Sequence, residues 1–275
     1  MKKFVSILLV LVLSLMMCAS AMASRLDDIL AAGEIHLATS PDFAPIEFID
    51  DTKTGQDQYV GADIELAKYI AEKLNVKLVI DAMDFAAVQA AAAMGKTDMA
   101  ISGFAYTPER AEVAEMSIYF NITDETDMGQ TLLVPKGTED KFNTAEDFAG
   151  LTIAVQNGSL QQQLAAAQLP ESCTLKPIAD LGTAVMMLTS GKVDAIGVDG
   201  SNGDMFCKNN PEVALANFKY DFEGEGNVLM VPKGETELIE AINEILKEVN
   251  DLGLYQQWKD DATKLATSLG IDVNE

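Results

Sequence analysis

The stretches Gly95-Lys96-Thr97-Asp98-Met99-Ala100-Ile101-Ser102-Gly103 and Gly191-Lys192-Val193-Asp194-Ala195-Ile196-Gly197-Val198-Asp199 read as one structural unit used twice. A helix-like segment precedes each, residues 85–94 in one case and 181–190 in the other, and the glycine can close that helix in a left-handed conformation. The short apolar run then enters a sheet, so each unit is half of a helix-to-parallel-strand crossover. A second pair of segments recurs at nearly the same offset: Leu132-Leu133-Val134-Pro135-Lys136-Gly137 and Leu229-Met230-Val231-Pro232-Lys233-Gly234. Two similar lobes are implied.

The flanking sequence agrees. Residues 34–38 and 152–155 read as the opening strands of the two lobes. Residues 63–74 place Ile64, Ala67, Ile70, Ala71 and Leu74 on one helical face, with Asp63 expected as the capping residue. Residues 236–249 do the same with Ile239, Ile242, Leu246 and Val249. Alternating strands and helices predict an α/β protein with mainly parallel sheets. In such open sheets ligands sit beyond the carboxyl ends of strands, which points to Ser102-Gly103-Phe104 and Asp199-Gly200-Ser201 facing a cleft between the lobes.

Composition narrows the function. The 275 residues include 43 acidic against 19 basic side chains, a net charge of -24, which argues against a nucleic-acid binder because a phosphate backbone is held by clustered cations. With 48% hydrophobic and 23% charged residues the chain can bury a substantial core. Lys2 and Lys3, the apolar run over residues 4–17 and Ala21-Met22-Ala23 compose a signal peptide, 1–23, with the mature chain beginning at Ser24 and exported. A rival reading makes Cys18 a lipidated first residue, although Met16 and Met17 stand where such processing favours small residues. No later stretch approaches 18 uninterrupted apolar residues. For Cys173 and Cys207, a bridge and two free thiols both stay open.

Among single residues, Arg110 follows Thr107-Pro108-Glu109, where Thr107 can cap, Pro108 suits the first helical position, and the guanidinium projects from a rigid first turn able to hold a carboxylate bidentately. The competing reading is a surface arginine paired with Glu109 or Glu112. Asp199 closes an apolar strand as either a helix cap or a counter-charge for a ligand ammonium. Phe43 and Phe85 each follow a strand, as core or as a pocket wall. His36, the single histidine, lies in a strand without a nucleophile motif and reads as structural. No zinc, EF-hand or Gly-rich phosphate motif is present, so no cofactor, no metal and no catalytic residue is expected.

The order of these motifs resembles the extracytoplasmic (periplasmic) amino-acid-binding proteins of ABC importers, solute-binding protein family 3. The resemblance rests on residues 40–48 (Ser-Pro-Asp-Phe-Ala-Pro-Ile-Glu-Phe), residues 60–67 (Val-Gly-Ala-Asp-Ile-Glu-Leu-Ala), the first Gly-Lys-x-Asp with Ile101-Ser102-Gly103, Thr107-Pro108-Glu109-Arg110, Val155-Gln156-Asn157-Gly158-Ser159, and the second Gly-Lys-x-Asp leading to Asp199. It implies a two-lobed, type II periplasmic-binding-protein-like fold, each lobe a mainly parallel sheet flanked by helices. Residues 24–121 and 227–275 would form one lobe and 122–226 the other, joined by two crossing strands near 121–124 and 224–227. It also implies roles. Arg110 would clamp a ligand α-carboxylate and Asp199 take its α-ammonium, with Phe43 and Phe85 walling the side chain. Ser102 and Gly103 would offer backbone contacts, and Gly158 and Ser159 backbone donors to the carboxylate. Ala105 and Leu160 stand where the family usually carries polar residues, so fewer hydroxyls should face the head group.

The expected function is capture of a free amino acid by hinge closure and its delivery to a membrane ABC permease, by a monomer. The alternatives are a same-fold enzyme resembling cyclohexadienyl dehydratase and an exported sensor module. Gln156 and Asn157 suit a polar uncharged side chain, while Asp42 and Glu47 leave a basic one open.

Overall fold

The computed structural model describes residues 24–122 and 128–271. The signal-peptide reading, the Cys18 alternative, and Thr123 and Asp124 of the first expected crossing lie outside the described residues. The chain runs α1 (Arg25–Ala32), β1 (Glu34–Thr39), β2 (Phe48–Ile49), β3 (Tyr59–Val60), α2 (Ala62–Lys73), β4 (Lys77–Ala82), α3 (Phe85–Ala93), β5 (Met99–Ala100), α4 (Pro108–Val113) and β6 (Ala114–Met116). It continues through β7 (Gln130–Pro135), β8 (Thr152–Gln156), α5 (Leu160–Gln168), β9 (Thr174–Ile178), α6 (Leu181–Thr189), β10 (Ala195–Asp199), α7 (Gly200–Asn209) and β11 (Val213–Lys219). Last come β12 (Met230–Pro232), α8 (Thr236–Leu252) and α9 (Leu254–Ser268).

Two five-stranded sheets repeat one design. The first has the order β4-β1-β5-β12-β6, and the second, taken in the matching direction, β9-β8-β10-β7-β11. In both, three parallel neighbours are followed by one reversed strand and then a strand that restores the first direction. The reversed strand is β12 in one sheet and β7 in the other, the two copies of the Val-Pro-Lys-Gly segment. The expectation of mainly parallel sheets therefore holds for strand direction. The reversed strand makes each sheet mixed, since it pairs antiparallel with both of its neighbours.

The Gly-Lys-x-Asp repeat has a local physical basis. Gly95 and Gly191 take φ of 66° and 69°, left-handed values that favour glycine. Lys96 N donates to Ala91 O at 2.9 Å and Lys192 N to Met187 O at 2.8 Å, so both helices end in the same Schellman-type closure. The aspartate then fastens the new strand to the lobe's first one: Asp98 Oδ2 accepts from His36 N at 2.7 Å, and Asp194 Oδ2 from Thr152 N at 2.8 Å.

Both faces of both sheets are covered. Met99 and Ile101 point into a core with Ile64, Ile70, Ile242 and Leu246, while Ala100 between them points to the other face with Val88, Ala92 and Phe104. In the second lobe Ile153 and Val155 face one cluster and Ala154 the other. Such two-sided burial produces continuous apolar runs in place of polar alternation. In α8, Leu238, Ile239, Ile242, Ile245, Leu246 and Val249 form a single buried stripe, and truncating one such side chain to alanine typically costs about 2–5 kcal/mol.

Asp63 is not the cap of α2. Gly61 holds that position with φ 128°, where an added Cβ would lie 2.2 Å from Ile46 O, and Asp63 is fully buried in the first turn. Cys173 and Cys207 are both free thiols. The chain passes between the sheets twice, side by side: Phe120 and Asn227 exchange backbone hydrogen bonds of 2.9 and 2.7 Å.

Candidate functional site

A cleft of about 640 Å³ lies between the two sheets, within the range of small-molecule sites. The first lobe contributes the loop after β1, the strand end Ser102-Gly103 and the start of α4, and the second contributes the N-terminal ends of α5, α6 and α7. Of the residues singled out from sequence, Phe43, Phe85, Ser102, Gly103, Ala105, Arg110, Gln156, Ser159 and Asp199 line this cleft. Gly158 does not line it, although its carbonyl reaches Arg110, and Asn157 is exposed outside the lining. A second, more open concavity of about 620 Å³, between Lys53 and Trp258 on the first lobe, contains none of them.

Arg110 is fixed by local sequence. Thr107 caps α4 through its side chain, Pro108 begins the helix, and the guanidinium emerges from this first turn only 4% exposed. Its Nε donates to Gln89 Oε1 at 3.1 Å, Nη1 to Ala105 O at 2.7 Å, and Nη2 to Gly158 O of the other lobe at 3.2 Å. The plane lies over Phe104 at 5.1 Å and Phe85 at 5.8 Å. Among the described residues no carboxylate stands within ion-pair distance of it. The surface ion pair with Glu109 or Glu112 is not formed. Burial without a counter-charge holds the guanidinium down at about 10. Of five N–H groups three are used, which leaves one on each terminal nitrogen, matching the two oxygens of a carboxylate.

Opposite, Asp199 is the N-cap of α7, its Oδ1 accepting from Ser201 N at 3.0 Å and Asn202 N at 3.2 Å. Its Oδ2 accepts from Gln130 Nε2 at 2.9 Å, and Gln130 Oε1 in turn accepts from Gln161 at 2.6 Å. The cap reading holds, and the same residue also lines the cleft. Sequence reasoning passed over Gln130 and Gln161, because isolated glutamines carry no positional signal.

The strand end of the first lobe rests on buried acids. Gly103, at φ 56°, donates its N–H to Asp63 Oδ2 at 2.8 Å, and Ser102 Oγ donates to Glu47 Oε1 at 2.8 Å. Tyr255 donates to Asp63 Oδ1 at 2.7 Å. Glu47 is held well above the usual carboxylate range, first by burial and then by the Asp63 charge, and burial pushes Asp63 up to about 6. Drawn as an ion, Glu47 would leave Oε2 buried without a donor; a proton there makes it a donor to Asp63.

Across the cleft, Asp42 Oδ2 accepts from Gln156 Nε2 at 2.9 Å and, more loosely, from Leu181 N at 3.4 Å, and burial raises its pKa. The N–H groups of the 158–159 loop are already engaged: Gly158 N donates to Gln162 Oε1 at 2.7 Å and Ser159 N to Gln156 O at 3.0 Å. In this arrangement the loop presents a carbonyl to Arg110. Ala105 offers its own carbonyl to the same arginine, and Leu160 is buried in the second-lobe core at the cleft edge. His36 bonds Asp81 at 2.8 Å outside the cleft lining.

The family model for bacterial extracellular solute-binding proteins, family 3, matches residues 35–262. An amino acid ABC transporter substrate-binding protein from Streptococcus pneumoniae, solved bound to L-arginine, is 32% identical with a TM-score of 0.78, covering 87% of this chain and 97% of that one. The arginine-binding extracellular protein ArtP of Bacillus subtilis is 27% identical over 228 residues, 81% of this chain and 83% of the relative. Cyclohexadienyl dehydratase of Pseudomonas aeruginosa is 29% identical over 227 residues, 81% of each chain.

Proposed function

The chain belongs to the bacterial extracellular solute-binding proteins, family 3, and from that premise we propose that it captures a free α-amino acid between its lobes and delivers it to an ABC permease. One observation carries the reading: a guanidinium 4% exposed, without a carboxylate partner among the described residues, and with one free N–H on each terminal nitrogen. The ligand carboxylate supplies the missing charge, and Asp199 on the facing lobe takes the ammonium. Because the two groups belong to different lobes, a zwitterion gains its full set of contacts only when the lobes are together. Its binding therefore shifts the population toward closure by that difference.

For the side chain, the cleft sets Asp42, Asp199 and Asp204 against only Arg110 and Lys259. This balance favours a basic side chain over the polar uncharged one suggested by Gln156, whose amide is occupied with Asp42. The S. pneumoniae and B. subtilis relatives are named for arginine, in keeping with that choice. The protein acts as an exported monomer.

Turnover is the competing reading, given the dehydratase relative. A dehydratase needs an acid aimed at the departing hydroxyl oxygen. Here Asp42 is engaged by Gln156 and Leu181, Glu47 by Ser102, and Asp199 by the α7 cap, each in a binding or structural contact. A thermal-shift screen over the amino acids tests the proposal, since a ligand at 100 times its dissociation constant adds about 2.7 kcal/mol of stability. Basic amino acids should give the largest shifts and be recovered chemically unchanged. No shift with any amino acid, or conversion of the bound compound, would overturn it.

A further inference from the structure

Gln89 lies in the middle of α3, an alanine-rich helix whose sequence gives this position no distinction. Its amide nevertheless stands between the two lobes and the buried arginine. The oxygen Oε1 accepts from Arg110 Nε at 3.1 Å, and Nε2 donates to Gly158 O at 3.1 Å. Arg110 Nη2 donates to that same carbonyl at 3.2 Å. The three groups form a closed triangle in which the arginine and the glutamine of one lobe share an acceptor on the other.

Gly158 has φ of 76°, and a Cβ placed there would lie 2.8 Å from Gln89 Nε2. The backbone of the second lobe thus approaches the glutamine amide closely, and a side chain at this left-handed position would have to push that amide aside. A primary amide meets both demands, an acceptor for a guanidinium N–H and a donor for a carbonyl. A carboxylate, which only accepts, or an alkyl chain cannot supply both.

We propose that Gln89 is a positioning residue that joins carboxylate recognition to lobe closure. By occupying Nε it directs an incoming carboxylate to the two terminal nitrogens of Arg110, and by bonding Gly158 it adds a clasp between the lobes that does not touch the ligand. This extends the proposed amino-acid capture by assigning the element that couples its two halves. The consequence is a dependence on Gln89 that is the same for every α-amino acid, because the side chain of the ligand plays no part in it. Losing the clasp should act mainly on release, which requires the lobes to part.

The test is stopped-flow binding of L-arginine and L-histidine to wild type, Gln89→Leu and Gln89→Glu, with melting temperatures of the ligand-free proteins alongside. Glutamate retains an acceptor for Arg110 but turns toward the Gly158 carbonyl an oxygen with no proton to donate. Both variants should release L-arginine about tenfold faster or more, with both amino acids weakened by the same factor, while the melting temperatures stay within a few degrees of wild type. A release rate within twofold of wild type for Gln89→Leu would overturn the proposal, as would a loss for one amino acid but not the other. Should Gln89→Leu fail to fold, Gln89→Glu and Gln89→Met decide by the same criteria. If wild type takes up neither amino acid, the ligand reading fails on its own, and X-ray scattering of the ligand-free proteins judges the clasp. A more expanded Gln89→Leu supports it, and an identical profile removes it.

Discussion

Replacing Arg110 by methionine separates what the buried guanidinium does for the fold from what it does for the ligand. A guanidinium held at about 10 in place of 12.5 is disfavoured in its charged form by roughly 3 kcal/mol. Methionine, of similar length, removes that burden and packs against Phe85 and Phe104, which already face the arginine. Against this stand three lost hydrogen bonds, to Gln89, Ala105 and Gly158, each contributing on the order of 1–3 kcal/mol when the donor is charged. The Gly158 carbonyl keeps its donor in Gln89, so only part of that loss is realised. The two sides nearly cancel, as replacing a buried charge by an apolar group often does. The melting temperature of the ligand-free variant should stay within about 5 °C of wild type, since 1 kcal/mol moves a chain of this size by about 2–4 °C. Affinity behaves differently, because the ligand carboxylate would enter a buried site without a counter-charge, at about 3–5 kcal/mol or roughly two to three orders of magnitude. Calorimetric unfolding and titration with L-arginine on the same preparation measure both. A fall of more than 10 °C with binding retained would mean that Arg110 is a structural residue, and the reasoning fails.

Three further outcomes follow from the surrounding groups. Glu47 and Asp63 are both raised above their unfolded values, so both states are protonated below about pH 4, and stability is lost as pH rises through about 6 for Asp63 and through the raised folded value of Glu47. Glu47→Gln keeps an acceptor for Ser102 and supplies a fixed donor to Asp63. Its melting temperature should gain on wild type steadily from pH 4 to pH 8, and a constant or shrinking difference would contradict the assignment. Asp199→Ala should cost about 1 kcal/mol of stability through the lost α7 cap as well as affinity. Asp199→Ser restores the cap and the melting temperature, but affinity should remain at least about tenfold down because the charge is gone. The ring of His36 gains a proton-holding partner in Asp81, so its small contribution is present below pH 6.5 and fades as pH rises through its raised folded value. His36→Gln should abolish that pH dependence and leave L-arginine affinity within twofold.

Much of this molecule is legible before its structure. The Gly-Lys-x-Asp repeat carries its own geometry, because the left-handed glycine and the strand-fastening aspartate are local devices that recur wherever the residues do. The reversed strands were visible as a repeated Val-Pro-Lys-Gly but not as reversed, since direction is set by where the chain re-enters the sheet. Arg110 could be singled out by Thr107 and Pro108, yet its burial could not, because two of the groups that cover it, Gln89 and Gly158, come from other segments of the chain. Asp63 misled for a related reason. An aspartate at a helix start is ordinarily a cap, but Gly61 took that position and left the carboxylate for Gly103 and Tyr255.

In the proposed complex a zwitterion bridges the lobes with its carboxylate on Arg110. Titration of the wild-type protein with L-arginine and with agmatine, which keeps the ammonium and guanidinium groups but lacks the carboxylate, tests it most directly. L-arginine should bind, and agmatine should bind at least about 100-fold more weakly, the loss of a charge pair of about 2.7 kcal/mol or more. Equal affinity for the two would show that Arg110 does not read the carboxylate.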